Sequence, residues 1–146
     1  MFMVTGMNQQ NRAEKLLILL SEDLRHESSG SFTIVGTNPH GLSCVNPSPE
    51  IYVIPSVAIY AVFLSQTGTE EAKIALTDGN NNTLIEANVP AHPNTDAPRD
   101  RKLLIAAKFA NVKIGKPGLH RAVITLNGET YTEDFRIRLM DGNEES

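Results

Sequence analysis

The chain has 146 residues and a formal net charge of −4, a length that suits one domain with a sizeable core. Its 40% hydrophobic and 21% charged content excludes a disordered chain, and the negative balance removes any broad electrostatic reason to bind nucleic acid or an acidic membrane. Cys44 is the single cysteine, so an internal disulfide is excluded, and a reducing compartment such as the cytoplasm is expected.

From the amino terminus, residues 1–12 ("MFMVTGMNQQNR") show no period and are expected to be a weakly ordered lead or a stretch after an upstream start codon. The aliphatic run "LLILL" at 16–20 is followed at once by Ser21, Glu22 and Asp23. It is too short for a membrane helix, which needs about 20 apolar residues, or for a signal core of about 7 to 15. The residues 14–22 therefore read as a first strand, with a helix over 13–25 as the alternative, because Leu, Glu and Lys also favour helix.

Further strands are expected at 31–37, 57–64, 72–77, 83–89, 103–114, 119–126 and 132–140, separated by Gly, Pro, Asn and Ser. The three alanines within 103–110 leave a helix open there too. In the last segment Phe135, Ile137 and Leu139 alternate with Asp134, Arg136 and Arg138, so one face should be buried and the other wet. These short strands with turn signals predict an all-β fold: a single antiparallel β-sandwich, Ig-like or jelly-roll-like, of about eight strands. The domain is expected to span 13–140, with a flexible tail at 141–146. Two segments, 38–55 and 90–100, carry prolines, which exclude central strands and mark them as loops where a site would sit.

Chemistry is sparse. "ALTDGNNNTL" places Asp78, Asn80 and Asn82 at alternate positions, as a calcium loop begins. That loop needs glycine at its sixth place and glutamate at its twelfth, and Thr83 and Val89 stand there. Asp78-Gly79 followed by asparagines is turn chemistry, and a metal-free hairpin is expected between the flanking strands. The histidines at 26, 40, 92 and 120 are too dispersed for a zinc pattern. No phosphate loop or other cofactor motif occurs. His40, Cys44 and His92 remain as weak ligand candidates because they fall in the two expected loops. Arg136 and Arg138 are candidates for contact with a protein partner or a second copy, since exposed charges do little for stability.

Taken together, "LLILLSEDLRHESSGSFTIVGT", "AIYAVFL", "ALTDGNNNTLIE" and "KPGLHRAVITLNGE" resemble a family of small bacterial β-sandwich proteins grouped as a domain of unknown function. Where that family often has an aromatic two residues after Pro-Gly, this chain has His120. The resemblance implies a β-sandwich of bacterial cytoplasmic origin and assigns no catalytic residue. A non-enzymatic binding or protein-interaction module is the leading expectation. A small-molecule or carbohydrate binder, or an enzyme, with its site in the two loops is the alternative; the 5% aromatic content without tryptophan counts against sugar stacking.

Overall fold

The structure is a computed structural model that describes residues 14–28, 32–35, 42–64, 71–93 and 102–140, the side chains of His26, Phe32, Val35, His92 and Pro93 excepted. All regular structure among the described residues is strand: β1 (Glu14–Ser21), β2 (Asp23–His26), β3 (Phe32–Val35), β4 (Leu42–Ser48), β5 (Ile51–Leu64), β6 (Glu71–Thr77), β7 (Thr83–Pro90), β8 (His92–Pro93), β9 (Lys102–Ile114), β10 (Gly118–Leu126) and β11 (Glu129–Leu139). The helix alternatives at 13–25 and 103–110 fall away, because β1 and β9 pair along β5 and their apolar residues are used at a period of two.

The ladder runs β7-β6-β10-β11-β4-β5-β9-β8, with β1 also on β5. It folds into two layers at β4, which pairs antiparallel with β5 in one layer and parallel with β11 in the other. We call them the long-strand layer (β1, β4, β5, β9, β8) and the hairpin layer (β7, β6, β10, β11, β4). Their order is that of an immunoglobulin-like sandwich, with β4 as a first strand shared between sheets. One buried cluster fills the space between them, including Ile59, Phe63, Ile105, Ile74, Ile124 and Ile137. Phe63 of one layer meets Tyr131 of the other edge-to-face, with ring centroids 4.8 Å apart. Above that pair, Lys15 on β1 and Glu133 on β11 close the rim with a 3.7 Å ion pair.

Segment 38–55 is not the loop its prolines predict, since it contains β4 and the first part of β5. Pro47 lies between Val45 and Ser48, where the β4-β5 register shifts, and Pro55 lies beyond the last residue paired with β4 and before the first paired with β1. Each proline thus falls where the ladder is already interrupted, so its missing N–H removes no bond from a continuous run. Pro55 has a second consequence. Inward residues on β5 are 52 and 54 before it and 57, 59, 61 and 63 after it; on β9 they are 103, 105, 107 and 109, then 112 and 114. Both strands change face at one level, between the pairs Ile54 with Val112 and Ser56 with Ala110, and so the register survives. Asn111 takes the strain, with φ 54°.

The hairpin expected at Asp78-Gly79 joins β6 to β7, and β10 and β11 form another. Asn127 and Gly128, with φ 55° and 80°, join Leu126 to Glu129 in the double positive-φ turn that suits twisted strands. In β11 the wet face expected of Asp134, Arg136 and Arg138 is found, Ile137 is buried, and Phe135 and Leu139 are partly buried against the core.

Candidate functional site

Asp78 turns the chain. Its Oδ1 accepts hydrogen bonds from the backbone N–H of Asn80 (2.8 Å) and of Asn82 (2.9 Å), and its Oδ2 accepts from the Asn82 side-chain amide at 3.3 Å. The backbone closes the same turn, with Asn81 N donating to Asp78 O at 3.0 Å. These donors, the Asn82 backbone N–H above all, hold the Asp78 carboxyl below the usual aspartate range. Both carboxylate oxygens are committed to the loop itself, and no cluster of three or more metal-ligating side chains occurs among the described residues.

Beside this turn, an open groove of about 530 Å³ separates Asp78, Gly79 and Asn80 from residues 115–120. His120 lines it and is only 3% exposed. Its Nδ1 lies 3.0 Å from Gly118 O; a carbonyl only accepts, so Nδ1 carries the proton. Nε2, on the other side of the ring, is buried with no partner among the described residues. The groove thus holds one orphan nitrogen on its wall, with Lys116 and the Asp78 carboxylate, already committed to its own turn, also lining it.

The residues singled out in the sequence do not converge. Cys44 is fully buried in β4, and burial pushes its thiol up, away from the reactive thiolate. His92 pairs with Leu104 in the short strand β8, its side chain lying outside the described residues, as does the whole of His40. Arg136 and Arg138 are exposed on the outer face of the hairpin layer. Nearby on that face are two ion pairs, Arg121 with Asp134 at 2.7 Å and Lys73 with Glu86 at 3.4 Å, which make it a solvated surface.

The outer face of the long-strand layer is different in kind. Ladder register sets its side chains in rows across β1, β5 and β9: Leu17, Val62 and Leu104, then Leu19, Tyr60 and Ala106, then Ser21, Ala58 and Lys108. The first two rows are apolar apart from one phenol, and all six residues are partly or largely solvent-exposed, Leu17 at 39%. The third row is covered. Here the chain leaves β1 and crosses the sheet, with Ser56 Oγ donating to Glu22 O at 2.6 Å over β5 and Asp23 meeting Lys108 Nζ at 2.7 Å on β9. The β2-β3 hairpin follows and buries Leu24 to 5% exposure, while Ala58 and Ser21 beneath fall to 0% and 1%.

The sequence carries a signal for this face that the loop argument passed over. "LLILL", "VAIYAVFL" and "LLIAA" are unbroken apolar runs, whereas a strand with one wet face alternates, as "TEDFRIRL" does.

No family model matches the sequence, and no curated protein matches it. Among solved structures, a Bifidobacterium dentium β-glucuronidase, determined with coumarin-3-O-glucuronide, is similar at 15% identity and a TM-score of 0.44. That match covers 86% of this chain and 17% of the enzyme's. No helix is long and apolar enough to cross a membrane among the described residues.

Proposed function

We propose that this chain is a non-enzymatic protein-interaction module that docks a partner on the outer face of its long-strand layer. The observation that carries the reading is the contrast between the two outer faces. One bears ion pairs and threonines, as a solvated sheet does; the other bears two adjacent rows built from Leu17, Leu19, Tyr60, Val62, Leu104 and Ala106. Sustained apolar surface on a soluble domain marks an interaction site more often than scattered single residues do. The partner is a protein or a second copy, not a nucleic acid, given the net charge of −4. The lone buried Cys44 fits a reducing cytoplasm, and the sequence resemblance supports a bacterial source.

The test is a photocrosslinking amino acid placed at position 62 and, separately, at position 132 on the charged face. A discrete adduct from 62 that is lost on Leu104→Glu, with none from 132, supports the reading. Equal yields from both positions overturn it.

A further inference from the structure

We infer that two copies of this chain associate edge to edge through β7, pairing antiparallel about a two-fold axis at Ala87, on an edge of the hairpin layer separate from the face proposed above.

β7 ends the ladder, with β6 on one side and no strand on the other among the described residues. An open edge presents backbone N–H and C=O groups to any strand that comes alongside, and folded domains blunt such edges with lysine, proline, bulges or short strands. Other edges of this sandwich are blunted in those ways. β8 is only 2 residues long, and beyond it β9 carries exposed Lys108 and Lys113 and the left-handed kink at Asn111. β1 shifts register between Lys15 and Leu17, and Lys15 is tied across to Glu133 on β11. From Ile85 to Val89, β7 has no lysine, no proline and an unbroken register with β6.

The core-side row of β7 is also left open. Ile85, Ala87 and Val89 pack against the core yet stay partly exposed, whereas their β6 partners Leu76, Ile74 and Ala72 are buried. A strand added outside β7 continues that row as β7 continues the row of β6.

Side chains select the register. A two-fold axis normal to the sheet sets each residue opposite one of the same face, so the axis passes through a residue. Centred on Glu86, it would set that carboxylate against its own copy, which like charge disfavours. Centred on Asn88, it would set Glu86 opposite Pro90, which has no N–H for the ladder. Centred on Ala87, it sets Glu86 opposite Asn88 of the second copy, whose amide donates to the carboxylate, and symmetry repeats the contact. Lys73 lies in the Asn88 row, so each Glu86 also gains the other copy's cation in its own row, two strands or about 10 Å away. On the core side Ile85 then faces Val89 and Ala87 faces itself. Pro90 falls opposite Leu84, where the ladder already ends at the β6-β7 irregularity.

Sedimentation of the full chain over a wide concentration range is expected to show a reversible monomer–dimer equilibrium, and amide exchange to slow within 85–89 at high concentration relative to low. Variants at exposed positions read the register. Asn88→Glu sets carboxylate against carboxylate and should weaken the dimer about tenfold, because symmetry applies the pair twice. Asn88→Lys sets a cation against Glu86 and should strengthen it by a similar factor, and the double variant Glu86→Lys, Asn88→Glu should recover what the single Asn88→Glu loses. Urea titration checks that each variant is folded. A monomer at every concentration overturns the inference, as does a dimer indifferent to charge at position 88, one weakened by both charges there, or protection lying outside β7. A dimer lost on Leu104→Glu instead would place the contact on the long-strand layer, overturning this inference and leaving the docking role standing.

Discussion

Phe63 on β5 and Tyr131 on β11 meet edge-to-face at 4.8 Å and an interplanar angle of 65°, which ties the two layers together just inside the rim that Lys15 and Glu133 close. Phe63 is fully buried. Phe63→Ala should therefore cost about 3 to 5 kcal/mol, a large part of the roughly 5 to 15 that holds a domain. Phe135, only partly buried against the same core, should lose clearly less. Urea titration of the two variants side by side checks the order, and an equal loss would place Phe135 deeper than its contacts indicate.

Acid should loosen the Asp78 turn. Its carboxyl is held below the usual aspartate range by loop amides, so its contribution is fully present above the unfolded value of about 3.9 and is lost as pH falls through the folded value beneath it. Asp78→Asn keeps an acceptor oxygen but no charge. Melting temperature followed from about pH 6 to about pH 2 should show the gap between wild type and Asp78→Asn closing on the acid side.

His120→Phe should leave stability within about 1 kcal/mol of wild type. The change loses the hydrogen bond to Gly118 O, worth about 0.5 to 1.5 kcal/mol, and removes a buried unpartnered nitrogen, which costs about 1 to 3. The ring neighbour Phe135, 6.1 Å away, still has an aromatic to face. A loss well beyond 2 kcal/mol in chemical denaturation would mean that Nε2 finds a donor in solution.

Asn111, at φ 54°, should tolerate glycine and reject valine. Left-handed backbone costs an ordinary residue about 1 to 2 kcal/mol, with asparagine among the few that visit it readily. Thermal melts of Asn111→Gly and Asn111→Val should separate by at least that amount; coincident melts would contradict the backbone assigned here.

Replacing both Arg136 and Arg138 by alanine should change stability by less than about 1 kcal/mol, because both are exposed on a solvated sheet face. A larger loss in urea titration would mean that the β11 register is off by one residue.

The all-β class, the hairpin turns at 78–82 and 127–128 and the faces of β11 were legible because each is a local matter: a turn residue with the right backbone freedom, or a period of two. β4 and the start of β5 were not, because Pro47 and Pro55 argue against strands unless one knows where neighbouring strands begin and end. That knowledge is long-range. Ser48 pairs with Ile51 nearby, but β5 also takes β9 far along the chain, Ile54 meeting Val112, 58 positions on. The apolar outer face was hidden for a related reason. A run such as "VAIYAVFL" states that both sides of a strand are apolar, and only the assembled layers tell which side the core takes. His120 was visible only as one of four scattered histidines; its orphan nitrogen depends on the β10 strand being closed in by its neighbours.

The shared change of face in β5 and β9 constrains how this gene can vary in length. Losing one codon near Pro55 would leave Ile54 and Val57 two apart, a regular alternation on β5, while β9 kept its extra residue and the pairing of the two strands slipped by one. A second deletion near Asn111 would restore agreement between the two. Single-residue gaps here should be tolerated only in matched pairs, so homologous sequences are expected to carry both irregularities or neither.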